Sequence, residues 1–169
     1  MQRVTDWISS HKLLTAVIVV AAVLIGWWLI TPRYLSYANT SAGDCMQADP
    51  SVLSGASAGE VNVVPGGLKA GVKVDCNDPH QHEIMAILEH PAPRGEPYPL
   101  EELPTYVADA CASVFVDYVG RPLEGSSLGA TAYYPTRGDW EQGADRRIIC
   151  IGVDPAQSAV SGSIRDSGR

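Results

Sequence analysis

The sequence has few positive charges. Its 169 residues include 12 Lys and Arg against 19 Asp and Glu, and after residue 33 only nine basic residues accompany 18 acidic ones. Nucleic acids and anionic lipid surfaces are bound mainly through clustered basic side chains. We therefore expect no nucleic-acid partner, and we do not expect the acidic part of the chain to lie along an anionic membrane surface.

Motifs typical of phosphate binding and of catalysis are also missing. The glycine-rich PGGLKAG at 65–71 lacks the Gly-Lys-Ser/Thr of a phosphate loop, and no glycosidase, amidase or transpeptidase signature occurs. Asp44 and Asp75 each adjoin a cysteine, but the sequence offers no nucleophile or paired carboxylate to work with them as general acid and base. The sequence predicts a protein that is not an enzyme and uses no cofactor.

What the sequence does contain is a long uncharged run, LLTAVIVVAAVLIGWWLI at 13–30. As a helix it would be about 27 Å long, close to the hydrocarbon thickness of a bilayer. Arg3 and Lys12 precede the run, and this bias favours a cytoplasmic amino terminus, residues 1–12. The run predicts a single-pass helix in contact with plasma-membrane lipid, with the remainder of the chain extracytoplasmic.

Two tryptophans at the end of this run favour an anchor that is not cleaved. Trp27 and Trp28 fall where indole rings prefer the headgroup layer of the membrane. The alternative is a cleavable signal peptide, because Ser36-Tyr37-Ala38 is an acceptable cleavage site. The paired indoles and the length of the run support the anchor over the signal peptide.

The chain after the run divides into three segments by composition. Residues 31–43 are small and polar, which is typical of a short tether. Residues 154–169 are polar and aperiodic, and they are predicted to be a disordered tail. The segment between them, 44–153, is predicted to be one domain.

Hydrophobic periodicity indicates the fold class of that domain. Strands are predicted at 60–64, 71–76, 82–89, 130–134 and 147–153, and a helix at about 101–118. Strand 82–89 has apolar residues at both even and odd positions. Ile84, Ala86 and Leu88 are predicted on one side and Met85 and Ile87 on the other, which is typical of a central strand. The pattern predicts an α+β domain in which one main helix packs on a small, mostly antiparallel sheet.

All four cysteines, Cys45, Cys76, Cys111 and Cys150, follow the apolar run. An even number in an exported domain predicts two disulfides, each worth about 2–4 kcal/mol. Of the three possible pairings, the sequential one is favoured, because it joins the early strands to each other and the buried face of the helix to the last strand. The two other pairings remain open.

A set of spaced residues in this domain forms a recognisable frame. It consists of Gly43-Asp44-Cys45, Val74-x-Cys76, Pro79-His80-x-x-Glu83, Cys111, Tyr118-x-Gly120, Pro135, Trp140-x-x-Gly143, Arg146 and Cys150. The frame resembles the septum-formation family of actinobacterial envelope proteins over residues 43–153. The resemblance implies a membrane anchor that carries a small exported domain linked to division septa, and it supplies no catalytic residues. His82 departs from the family pattern.

Two framed residues, His80 and Glu83, and the neighbouring His82 are the candidates for a metal site. In a strand, His80 and His82 would share one face and Glu83 would lie on the other, so zinc would need a further ligand such as His90. The more ordinary interpretation is that His80 bonds to the backbone at the strand entry while Glu83 caps or pairs with an arginine. Trp140, in the loop 135–146, is expected to pack in the core rather than to serve as an exposed recognition residue.

These observations predict a non-enzymatic, membrane-tethered extracytoplasmic domain that binds a protein partner in the cell envelope. One alternative is a single-pass accessory subunit of a larger membrane complex, such as a respiratory or export assembly. Another is a zinc-dependent or ligand-binding enzyme that uses His80 and His82.

Overall fold

The computed structural model describes residues 15–27, 34–35, 39–48, 56–67, 71–156 and 161–169. These residues belong to two compact units, Met1–Arg33 and Tyr34–Arg169.

The first unit contains helix α1 at residues 15–27. Its large apolar side chains are exposed, among them Val17, Leu24 and Trp27. Within the described residues, no helix is both long enough and apolar enough to cross a membrane. The predicted span 13–30 extends beyond α1 at both ends, so its ends, including Trp28, and the predicted cytoplasmic segment 1–12 lie outside the described residues.

The second unit is built on one sheet. Its strands are β1 (Tyr34–Leu35), β2 (Cys45–Ala48), β3 (Val61–Pro65), β4 (Gly71–Val74), β5 (His82–Glu89), β6 (Gly129–Tyr134) and β7 (Arg147–Val153). Their order across the sheet is β1-β4-β2-β5-β7-β6-β3, and in the described residues only β3 and β6 pair in parallel. Helix α2 (Glu102–Val119) packs on this sheet. The structure confirms the predicted α+β fold class.

Strand β5 lies at the centre of the sheet and is covered on both faces, as its apolar sequence predicts. The predicted division of its side chains is wrong, however. Ile84 and Ile87 belong to one apolar cluster, whereas Met85 and Leu88 belong to the cluster that includes α2. The cause is a β-bulge between Ile84 and Ala86, because one extra residue shifts the alternation of every later side chain.

Helix α2 follows its apolar stripe. Leu103, Val107, Cys111 and Phe115 recur at a spacing of four residues, and all four are buried against the sheet. The helix ends at Gly120, which adopts the left-handed conformation with φ of 85° while its N–H donates to the last turn. The helix bounds differ from the predicted ones by a single residue at each end.

Both disulfides follow the sequential pairing. Cys45 is joined to Cys76, and Cys111 on α2 is joined to Cys150 on β7. The first disulfide therefore links β2 to the turn after β4, and the second fixes α2 to the sheet. No free cysteine remains among the described residues.

Residues 34–35 and 39–43 of the predicted tether 31–43 belong to the folded unit. Strand β1 pairs with β4, and the Gly43 N–H donates to the Ile84 carbonyl at 2.7 Å. Gly43 has a φ of 89°, a value that glycine adopts without steric cost. The small residues that indicated a flexible segment are therefore also those that admit this close backbone approach.

A short helix was not expected in the predicted loop 135–146. Helix α3 (Arg137–Glu141) begins at Thr136, whose side chain and that of Asp139 each bond to the backbone of the other. This reciprocal arrangement satisfies two backbone N–H groups that a helix start leaves open. Thr136 and Asp139 stand three residues apart, so the sequence carried a signal for the helix.

The predicted disorder of 154–169 is wrong for residues 161–169, which we call the C-terminal strap. Ile164 is only 4% exposed, and the N–H groups of Asp166 and Gly168 donate to the carbonyls of Tyr118 and Val119, each at 2.8 Å. One apolar anchor and backbone hydrogen bonds to the end of α2 thus hold a segment whose composition is polar. Residues 157–160 of the predicted tail lie outside the described residues.

Candidate functional site

The carboxylate of Glu83, near the start of β5, is the centre of the main polar cluster. Its side chain is 1% exposed. Oε1 accepts hydrogen bonds from the hydroxyls of Tyr118 and Ser163, each at 2.5 Å, and Oε2 accepts from the Ile164 N–H at 2.7 Å. A buried carboxylate needs such donors because it has lost its water. Strand β5, helix α2 and the C-terminal strap therefore meet at Glu83.

His80 lies beside this carboxylate. Its Nδ1 is 2.9 Å from the Asp78 carbonyl, which can only accept, so Nδ1 carries the hydrogen. Its Nε2 lies 4.0 Å from Glu83 Oε2, is buried, and has no hydrogen-bond partner within the part of the chain that the structure describes. The predicted bond from His80 to the backbone is present.

The prediction that Glu83 lies on the opposite face from His80 is wrong. Strand β5 begins only at His82, and His80 lies before it at the end of the turn that follows β4, at a single bridge position followed by a bend at Gln81. Strand alternation therefore does not relate His80 to Glu83, and the turn brings the two side chains together. Glu83 bonds to two hydroxyls and a backbone N–H rather than to an arginine or a helix end.

His82 is buried next to this cluster, but it is not one of the three hydrogen-bond donors to Glu83. Its pKa is lowered to about 4, chiefly because burial disfavours the imidazolium and secondly because His80 is nearby; a backbone hydrogen bond with Met46 acts in the opposite direction. His82 is therefore neutral at pH 7. The strand pairing places it opposite Met46 and Val153, at the junction of β2, β5 and β7.

Tyr118 remains protonated in this environment. Burial, the hydrogen bond to Glu83 and the charge of Glu83 raise its pKa to about 12, against the opposing effect of Arg165. The Arg165 guanidinium lies 4.3 Å from the centre of the Tyr118 ring. The strap therefore contacts both the Tyr118 ring and Glu83, which accepts the hydrogen bond of the Tyr118 hydroxyl. Tyr118 acts here as a hydrogen-bond donor.

The predicted zinc arrangement of His80 and His82 with His90 does not form. His90 stacks edge-on with Tyr106 and Trp140, at centroid distances of 4.4 and 5.1 Å, away from the Glu83 cluster. In the described residues, the one group of three possible ligands is Cys45, His80 and Glu83, whose donor atoms lie within 4.8 Å of one another. The Cys45 sulfur is held in the disulfide with Cys76.

A second polar cluster surrounds Trp140, which is 1% exposed. Its indole N–H donates to the Glu96 carbonyl at 2.8 Å, and the Arg146 guanidinium lies 3.6 Å from the ring centre. Trp140 is thus a core residue, as its loop position predicts. Arg146 is buried and donates to four backbone carbonyls, those of Ala92, Pro93, Trp140 and Asp145.

Gly143 completes this second cluster by leaving room for the backbone. A Cβ at this position would lie 2.8 Å from the Asp139 carbonyl oxygen, closer than real Cβ contacts occur. The Trp-x-x-Gly and Arg146 portion of the frame thus ties α3 and β7 to the proline-rich loop at 91–99. The residues position one another, and they enclose the tryptophan.

Two further framed residues, Asp44 and Pro79, and the neighbouring Asp75 lie near the Cys45–Cys76 disulfide. Asp44 accepts hydrogen bonds from Lys73 Nζ at 2.5 Å and from the Ser41 N–H at 2.9 Å. The Pro79 carbonyl accepts from the Gln47 side chain at 2.8 Å, and Asp75 accepts from the Asn77 N–H at 2.9 Å within a turn. Asp44 and Asp75 are thus engaged in fixing local backbone geometry.

Sequence reasoning missed the strap as a component of the Glu83 cluster. Ser163 and Ile164 supply two of the three donors to the carboxylate. The available signal was Ile164 itself, because a single large apolar residue in a polar segment is a natural anchor. The regular hydrophobic pattern that marks strands and helices is absent from so short a segment.

Comparison with known proteins gives one family. The sequence model described as septum formation matches residues 38–150, which include the framed residues from Gly43 to Cys150. The strap lies outside the matched range. No match to the chain was found among curated proteins or among solved structures.

Proposed function

The chain belongs to the septum-formation family, and on that premise we propose that it is a non-enzymatic, membrane-tethered domain of the cell envelope that binds a protein partner at division sites. The family description links the chain to septum formation, a division or envelope role. The tether, the partner and the absence of turnover are our proposal.

The proposal depends on one observation: the framed polar side chains form their hydrogen bonds within the domain. Glu83 receives three hydrogen bonds from α2 and the strap, and Arg146 gives its hydrogen bonds to backbone carbonyls. Side chains that are buried and committed in this way stabilise a scaffold. We therefore assign function to the exposed surface.

The exposed face of α2 is the surface that best suits a partner. Tyr106 and Val116 on it are 39% and 42% exposed, and the acidic Asp109 and Asp117 lie on the same exposed side. The helix contains no Lys or Arg. An exposed tyrosine and valine bordered by carboxylates fit a partner whose surface combines apolar contacts with basic residues.

The membrane tether is supported by the sequence at 13–30 and by the character of α1. The described part of this run is helical and presents its apolar side chains outward. Two disulfides in the second unit suit an oxidising compartment outside the cytoplasm. Both features agree with a domain held at the outer side of a membrane.

Photocrosslinking in living cells tests the partner surface. A photoreactive amino acid is placed at Ser113, exposed on α2, and in a matched control at Asn77, exposed on the turn after β4. We expect a defined protein adduct from position 113 that is absent at position 77, recovered in mild detergent and identified by mass spectrometry. Equal adducts at both positions, or none at 113, would contradict this surface.

The identity of the captured protein and the location of the chain test the remainder of the proposal. An adduct with a division protein, together with septal enrichment of a fluorescent fusion, is expected. A uniform membrane signal throughout the division cycle would argue against the division role. Recovery of a respiratory or export assembly would favour the accessory-subunit alternative.

A further inference from the structure

Three buried side chains meet beside the Cys45–Cys76 disulfide. We propose that reduction of this disulfide converts Cys45, His80 and Glu83 into a binding site for a thiophilic divalent cation of the zinc class. Their donor atoms already lie within 4.8 Å of one another, and each of the three residues is 1% exposed. The inference concerns a site that the proposed docking function does not use.

His80 is oriented as a metal ligand would be. Its Nδ1 donates to the Asp78 carbonyl, and this bond fixes the ring and leaves the lone pair on Nε2. Histidines that bind metals commonly donate their other ring N–H to a carbonyl in this way. Nε2 is buried, points toward Glu83, and has no hydrogen-bond partner among the residues that the structure describes.

Glu83 Oε2 faces that nitrogen and still has a lone pair with which to bind a cation. Its Oε1 accepts two hydroxyls, whereas Oε2 accepts the Ile164 N–H and lies 4.0 Å from His80 Nε2. Nitrogen and oxygen ligands of one tetrahedral zinc ion lie about 3.3 Å apart. The two atoms therefore need to approach by less than an ångström for both to bind one ion.

The sulfur ligand is released by a balanced exchange with a dithiol. The dithiol reduces the Cys45–Cys76 bond, giving two cysteine thiols while the dithiol becomes a disulfide. The Cys45 thiol then loses its proton to solvent as the thiolate binds the cation. In the oxidised chain the sulfur is engaged in the disulfide, so His80 and Glu83 would be the two remaining ligands of this group.

The two disulfides differ in the access that they offer to a reductant. Cys76 is only partly buried, on the turn after β4. Cys111 and Cys150 are both 0% exposed, between α2 and β7. Since exchange requires a thiolate to reach one sulfur, a mild dithiol should open the first disulfide before the second.

The experiment uses the full chain in mild detergent with Cd²⁺ as the probe. Cys76→Ser leaves Cys45 as a free thiol without a reductant. We expect this variant to bind one equivalent of Cd²⁺ with a thiolate-to-metal absorption in the near ultraviolet, and Zn²⁺ to displace it. Wild-type protein should show this absorption only after dithiol treatment.

Variants of the two histidines in the Cys76→Ser background distinguish the proposed site from adventitious thiol binding. His80→Ala should weaken Cd²⁺ binding at least about tenfold. His82→Ala is the matched control, because His82 is also buried but lies outside the ligand group, and it should leave binding within about twofold. Circular dichroism verifies that each variant is folded.

Several results would overturn the inference. Equal binding by the His80→Ala and His82→Ala variants would show that the thiol alone binds the probe. Absence of the absorption in folded Cys76→Ser protein would exclude the site. Unfolding of both the Cys76→Ser variant and the dithiol-treated wild type would also overturn it, because the site belongs to the folded domain.

Discussion

The Tyr118 hydroxyl on α2 lies 2.5 Å from the Glu83 carboxylate on β5. This bond joins the centre of the sheet to the last turn of the main helix, and the strap adds its own donors to the same carboxylate. A carboxylate in this position is stable only as long as its donors remain, because water does not reach it. The site therefore links three parts of the fold that are distant in sequence.

Removal of this hydroxyl should destabilise the domain. Tyr118→Phe keeps the ring but takes one donor from a buried carboxylate, and we expect a loss of about 1–3 kcal/mol in the free energy of unfolding. Urea unfolding of the full chain in mild detergent, followed by near-ultraviolet circular dichroism, measures it. Tyr106→Phe is the control, since Tyr106 is exposed, and it should change stability by less than about 0.5 kcal/mol. Equal stability of the two variants would refute the importance of the bond.

His82 should make the domain less stable in mild acid. Its pKa is about 4 in the folded chain against the ordinary histidine value of 6.5 in the unfolded chain, so the unfolded chain binds more protons between these pH values. Stability that His82 permits at pH 7 is therefore lost as the pH falls through 6.5 toward 4, by about 2 kcal/mol at pH 5. Urea unfolding at pH 7 and pH 5 measures the loss.

The control for this pH dependence is a residue of similar shape that does not titrate in the same range. His82→Gln should reduce the difference in unfolding free energy between pH 7 and pH 5 by most of that amount. The variant is compared with itself at the two pH values, so any loss of packing cancels. An unchanged pH dependence in His82→Gln would assign the effect to other groups.

Gly152 on β7 leaves the space that the strap occupies. A Cβ at this position would lie 2.2 Å from Ile164 Cδ1. Gly152→Ala should therefore push Ile164 from its place and cost about 1–3 kcal/mol. Ile164→Ala alone should cost about 2–4 kcal/mol, because it empties a buried position.

Combining the two substitutions tests whether they act through the same contact. In the double variant, Gly152→Ala has no Ile164 side chain to displace, so its added cost should fall below about 0.5 kcal/mol. Urea unfolding of the wild type, both single variants and the double variant gives the coupling. Additive costs would show that Gly152 is needed for another reason, such as strand geometry.

The sequence predicted those parts of the fold that rest on regular periodicity. The apolar spacing from Val107 to Tyr118 indicated α2, and alternation or continuous apolar runs indicated β5 and β7. The same stripe favoured the sequential disulfide pairing over the two others, because Cys111 on the buried face of α2 needed a partner in the sheet below. These features depend on neighbours in the sequence or on a single long-range contact.

The parts that the sequence did not predict depend on local irregularities or on isolated residues. The bulge in β5 reversed the faces of Ile87 and Leu88, and the turn before His82 placed His80 on the side of Glu83. Neither event changes the composition of its segment. The strap likewise depends on Ile164 and on backbone hydrogen bonds. A single apolar residue and backbone hydrogen bonds produce no periodic pattern in the sequence. The candidate site is made of these features, so it could be seen only in three dimensions.

Arg146 should not tolerate replacement by lysine. Its guanidinium distributes hydrogen bonds over four backbone carbonyls and stacks on Trp140 at 3.6 Å, and an ammonium group cannot reach so many directions at once. We expect Arg146→Lys to cost about 2–4 kcal/mol and to speed amide exchange near Ala92. Arg147→Lys is the matched control, because Arg147 is 40% exposed and pairs with Asp145, and it should stay within about 0.5 kcal/mol of wild type. Comparable stability of the two lysine variants would mean that charge alone, rather than the shape of the guanidinium, holds the proline-rich loop.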